Sequence, residues 1–69
     1  MYSSEQTLRI KIIEREFPSH QIWVVNRVVG GPVWCARPWG SEDVSKVINQ
    51  GSENELVEAL IEIVDHQPL

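Results

Sequence analysis

Residues 21–39 read QIWVVNRVVGGPVWCARPW, and the reading of this stretch decides the fold. Two runs rich in β-branched and aromatic side chains flank Gly30-Gly31. Such runs suit a pleated strand, and glycine takes positive φ at little cost, so the pattern predicts a β-hairpin. Pro32 is tolerated just after the turn. The stretch holds all three tryptophans, the sole cysteine and two of the six basic residues.

With the two glycines as the loop, Val28 faces Val33, Arg27 faces Trp34, Asn26 faces Cys35 and Val25 faces Ala36. Side chains alternate across a strand. One face then holds Trp23, Val25, Arg27, Trp34, Ala36 and Pro38. The other holds Ile22, Val24, Asn26, Val28, Val33, Cys35, Arg37 and Trp39. Ala36 between bulky neighbours leaves room for helices, which assigns them to the Trp23/Trp34/Ala36 face. The aliphatic row Ile22, Val24, Val28 and Val33 is left over. A one-residue slip would exchange the faces. In either register one face is more apolar than a two-layer monomer requires, since a sheet covered on one side normally alternates apolar and polar.

On the N-terminal side, Ser3 or Ser4 caps a helix running to about Phe17, with Glu5 near the positive end of its dipole. Pro18 biases the residue before it out of the helical region and ends the helix. Lys11, Glu14 and Arg15 share a polar sector. Leu8 and Ile12 lie on one side and Ile10, Ile13 and Phe17 further round, an apolar arc wider than one sheet contact needs. The expectation is a helix wedged deeply into the core; the alternative is that one edge of it touches another molecule.

On the C-terminal side, residues 42–50 (EDVSKVINQ) fit either a helix through Val44, Val47 and Ile48 or a short third strand, Lys46-Val47-Ile48-Asn49. The strand is preferred, because it widens the sheet under the last helix. Ser52-Glu53-Asn54-Glu55 is a capping box before an apolar run. Leu56, Ala59, Leu60, Ile63 and Val64 form the stripe of that helix, with Glu55, Glu58, Glu62 and Asp65 opposite. His66-Gln67-Pro68-Leu69 reads as a frayed tail. The expected architecture is one α+β domain over residues 1–69, ordered α-β-β-β-α, with an antiparallel sheet and two helices packed on one face.

Sixty-nine residues with a single cysteine allow no internal disulfide, and no Cys/His cluster has metal-ligand spacing. A chain this small buries only about 60% of its unfolded surface, so extra support would come from oligomerisation. The lone thiol and the lack of a signal peptide point to a reducing cytoplasm. No run approaches the ~20 apolar residues of a membrane span. The net charge of −4 is uneven. Residues 1–40 carry Arg9, Lys11, Arg15, Arg27 and Arg37 against three acids, net +2, and residues 41–69 carry Lys46 against seven acids, net −6. No strongly basic block of the kind nucleic-acid binders show is present.

The order helix, three strands, helix resembles the topology of double-stranded-RNA-binding domains. That family's RNA-binding surface includes a basic cluster at the start of its last helix, where this chain has Ser52-Glu53-Asn54-Glu55. At the residue level, Phe17-Pro18, Ile22-Trp23 and Trp34-Cys35-Ala36-Arg37 resemble a group of short uncharacterised actinobacterial proteins with an F/Y-P turn, an I-W strand and a W-x-A-R strand. That resemblance covers most of the chain and implies the fold and the compartment, with no chemistry attached.

Catalysis needs a nucleophile, an acid/base pair or a metal in a water-excluded pocket. The one Cys/His couple, Cys35 and His20, lies toward opposite ends of the hairpin. Cys35 reads as a small buried hydrophobe and His20 as a turn residue. The chain is therefore expected to be non-enzymatic and to need no cofactor. Large exposed apolar patches mark interfaces, so the expected function is a protein–protein interaction module. It would self-associate as a dimer through the hairpin's spare face or edge and dock a protein partner. The expected contact residues are Ile22, Val24, Val28, Val33, Arg37 and Trp39. The alternative is nucleic-acid binding by the arginines with stacking by Trp39. A small-molecule sensor is a third reading, but the sequence shows no convergent polar group for it.

Overall fold

The computed structural model describes residues 2–65, so the expected tail, residues 66–69, lies outside the described residues. In chain order it contains α1 (Ser4–Glu16), β1 (His20–Asn26), β2 (Pro32–Pro38), a single 3-10 turn (Val44–Lys46), β3 (Ile48–Gln50) and α2 (Glu53–Asp65). The strands form one antiparallel sheet in the order β1-β2-β3. This is the expected α+β architecture, α-β-β-β-α.

α1 begins where its sequence says it should. Ser3 is the N-cap: its hydroxyl accepts from the Gln6 N–H at 3.0 Å, and the Gln6 side chain accepts from the Ser3 N–H at 3.1 Å. The reciprocal pair satisfies two orphan donors of the first turn. α2 starts on Ser52, whose hydroxyl accepts from the Glu55 N–H at 3.2 Å. Residues 42–50 divide between both readings. Asp43 caps the 3-10 turn, and the strand follows at Ile48–Gln50, two residues later than its expected start.

The core is a single cluster between the helices and one face of the sheet. α1 supplies Ile10 and Ile13 with its C-cap Phe17, and α2 supplies Leu56 and Leu60. The sheet supplies Ile22, Val24, Trp34 and Ala36, with Ile48 packed against them. α1 rests on β1, and α2 rests on β2 and β3. α1 does not wedge deeply: Leu8 and Ile12 stay exposed, so only the Ile10/Ile13/Phe17 side of its apolar arc is used.

The hairpin differs from its expected form in one decisive respect. Ile22 pairs with Ala36, Trp23 with Cys35, Val24 with Trp34 and Val25 with Val33. The loop is five residues, Arg27 to Gly31, instead of two. Arg27 closes it, donating from Nε to the Gly31 carbonyl at 3.0 Å and from Nη2 to the Gly30 carbonyl at 2.9 Å. Both glycines have positive φ. The register is displaced by three residues from a Gly-Gly turn, an odd number, so β1 turns over relative to β2. Trp34 and Ala36 face the helices as expected. Ile22 and Val24 join them, and Trp23 and Val25 go to the outer face. Arg27 lies in the loop, so the expected Arg27–Trp34 pair is not formed.

Candidate functional site

The outer face of the sheet is built by alternate residues of three strands. In register its positions are Gln21 beside Arg37, Trp23 beside Cys35 and Asn49, and Val25 beside Val33. Val47, just before β3, borders a depression of about 350 Å³ with Gln21, Trp23 and Arg37. Arg37 is the one charged side chain among these positions, and its Nε donates to the Gln21 side-chain oxygen at 3.0 Å. The centre is apolar. Val25 is exposed, while Trp23 and Val33 are partly buried.

Cys35 lies at the middle of this face and is only 2% exposed. It is a small side chain between larger neighbours on both flanking strands. Burial raises its thiol pKa above the ordinary value, which lowers its reactivity. His20 belongs to the opposite, helix-facing surface and is also buried. The sheet therefore separates the Cys35/His20 couple.

The six expected contact residues are divided by the observed register. Ile22 and Val24, each 4% exposed, are core residues under α1, which corrects their assignment to a free face. The cause is the five-residue loop, which inverts β1. Val28 is at the hairpin tip and fully exposed, with Val29 beside it. Val33 and Arg37 are on the outer face. Trp39 follows the end of β2 and is 58% exposed, with its backbone N–H donating to the Ser19 carbonyl at 3.0 Å. Trp23, Val25 and Val47 belong to the outer face but were absent from the expected set. The signal for them was the alternation of β1, read with the opposite parity.

The edge of β1 is closed. The Ile22 N–H donates to a Glu14 carboxylate oxygen at 3.3 Å, and the Val24 N–H donates to the Tyr2 hydroxyl at 3.2 Å. The Gln6 and Asn26 amides exchange hydrogen bonds at 2.8 and 3.2 Å. Two backbone N–H groups that could have paired with a strand of another molecule are thus occupied by the side chains of Glu14 and Tyr2.

Charge is unevenly placed. α1 carries Glu5, Glu14 and Glu16 against Arg9, Lys11 and Arg15, whereas α2 carries Glu53, Glu55, Glu58, Glu62 and Asp65 with no base, and none of the outer-face positions is acidic. Of the basic residues, Arg9 on α1 is held by Glu53 on α2, its Nε donating to the carboxylate oxygens at 3.0 and 2.7 Å. Arg27 is spent on the loop. Among the described residues no group of three His, Cys, Asp or Glu side chains could hold a metal ion, and no helix is long and apolar enough to cross a membrane. Comparison with protein-family models, with curated proteins and with solved structures finds no match to this chain.

Proposed function

We propose that the protein is a non-enzymatic interaction module that pairs with a second copy of itself through the outer face of its sheet. The observation that carries this reading is the apolar centre of that face, Trp23, Val25, Val33 and Cys35, on a sheet covered by helices only on the other side. Three further observations favour a second copy meeting face to face. The β1 edge is capped by Glu14 and Tyr2, which disfavours growth of the sheet by edge pairing. α2 carries five acids and no base, so a two-fold contact through α2 would set like charges against each other, whereas contact through the sheets keeps the two copies of α2 apart. A standard interface removes about 800 Å² from each partner. That is roughly one-sixth of the 5126 Å² surface of this chain, an extent one side of the molecule can supply. A two-fold arrangement would put the same patch on both partners.

Sedimentation equilibrium of the wild type and of Val25→Lys tests the proposal. The expected result is a wild-type dimer at about 100 µM and a folded, monomeric variant, because a lysine on the apolar part of the face would be desolvated on pairing. A wild type that stays monomeric at that concentration would remove the reading. Val24 is unsuitable for this test, since a lysine there would enter the core.

A further inference from the structure

We infer that the cavity at the end of the sheet beside His20 is a binding site for a small amphipathic carboxylate, a ligand with an apolar body and one anionic head. The cavity is about 450 Å³ and lies where the start of β1, the end of β2 and the start of β3 meet the C-terminal half of α2. That volume falls in the roughly 300–1,000 Å³ range of small-molecule sites. Pro38, Ile48 and Ile63 supply apolar wall, and Ser45 and Lys46 of the 3-10 turn supply polar groups at its side.

His20 is the feature that packing alone does not explain. It is 3% exposed and lines the cavity. Its Nδ1 lies 2.8 Å from the Ser19 hydroxyl oxygen. Among the described residues the ring has no other partner, which leaves Nε2 for whatever occupies the cavity. No buried side-chain nitrogen or oxygen among the described residues lacks a partner, so Nε2 is not sealed off: it is open to the cavity and to a ligand there. Burial lowers the imidazole pKa, so the ring is neutral at neutral pH. When the Ser19 hydroxyl donates to Nδ1, Nε2 carries the proton and is a donor.

The charge comes from Lys46. It forms no salt bridge among the described residues, and its interaction with the nearby Asp43 is weaker than that of Ser45, whose N–H at 3.0 Å and hydroxyl at 2.7 Å donate to Asp43 Oδ1. A carboxylate head is the group that uses both a neutral N–H donor and an ammonium, while the body of the ligand covers Ile48 and Ile63. A cationic ligand would meet Lys46, and a neutral one would leave its charge unused.

The test titrates the full chain with octanoate and with octanol, a neutral probe with a similar apolar body, read by amide-resolved NMR. The expected result is saturable octanoate binding with shifts at Lys46, Ile48 and Ile63, and octanol binding about two- to fivefold weaker, the size of one exposed charge contact. Lys46→Met should remove that preference without changing octanol affinity, and Ile63→Trp should block both probes by filling the cavity. The exposed Lys46 variant keeps the test decisive should the tryptophan disturb folding. Absence of saturable binding at about 10 mM, shifts confined to the outer sheet face, or Lys46→Met indistinguishable from wild type would overturn the site. Equal affinity for octanol would overturn the carboxylate. Sedimentation reads the dimer separately, so the two proposals fail independently.

Discussion

Gly30 holds φ at +94°, and a Cβ built there would lie 3.1 Å from Nη2 of Arg27 and 3.3 Å from its Cζ. The neighbouring Gly31, at φ +76°, has nothing within 4 Å of the same position. The two glycines are therefore not equivalent. Gly31→Ala meets backbone strain alone, about 1–2 kcal/mol. Gly30→Ala adds displacement of the guanidinium that closes the loop. Urea unfolding should place Gly30→Ala below Gly31→Ala, and the gap should narrow in an Arg27→Ala background. A second residue-scale consequence concerns His20. Its folded pKa lies below the ordinary 6.5 because burial disfavours the cation. The unfolded chain then binds a proton more readily than the folded one, so His20's contribution is fully present above about pH 6.5 and is lost as pH falls toward the lowered value. Urea midpoints from about pH 7.5 down to about pH 5 should fall for wild type and be flatter for His20→Gln. Asp43 acts in a lower window: Ser45's hydrogen bonds, with a smaller contribution from Lys46, hold its pKa below 3.8, so its share is lost only in stronger acid.

At the scale of the element, β1 is an edge strand whose outward donors are met by side chains from α1 and from the residue preceding its cap. Glu14 sits in a sector that reads as solvated from sequence, yet its carboxylate reaches the Ile22 N–H. Tyr2 precedes the cap of α1 and reaches Val24. Each such bond contributes about 0.5–1.5 kcal/mol, a modest part of stability. Their larger consequence is to keep the strand from pairing with another chain. Tyr2→Phe combined with Glu14→Ala should lower the melting temperature by on the order of 10 °C and raise light scattering at temperatures well below that midpoint. Unchanged scattering would show that α1 protects the edge by its bulk instead. β3 has a different defence, since three residues offer little ladder to extend.

At the scale of the whole molecule, the fold is a two-layer sandwich with the acidic α2 in one layer and the unpaired apolar surface on the other. The core lies between the helices and the inner sheet face, and the outer face has Arg37 and Gln21 at one end and Val25 and Val33 at the other. Val28 and Val29 extend the apolar surface past the strands into the loop. Pairing through that face would bury Trp23 further, so the wild-type tryptophan emission should move to shorter wavelength as concentration rises through the dimer transition. Trp34, already in the core, provides the constant background, and Trp23→Phe should abolish the shift.

What residues 2–65 encode locally was legible in the sequence. Ser3 with Gln6, and Ser52 with Glu55, start the two helices, and Phe17-Pro18 stops the first. The β2 alternation correctly put Trp34 and Ala36 under the helices. These features rest on contacts a few residues apart, or on the period of one strand. The parity of β1 against β2 depends instead on loop length, and Gly-Gly alone reads as the shortest loop. Only in the folded chain do Arg27's bonds to Gly30 and Gly31 and the burial of Ile22 and Val24 against Ile10, Ile13 and Phe17 select the longer one. An odd displacement exchanges every side chain between core and surface. For that reason the existence of a spare apolar face was determined by the sequence, while its residues, Trp23 and Val25 in place of Ile22 and Val24, were decided by tertiary packing.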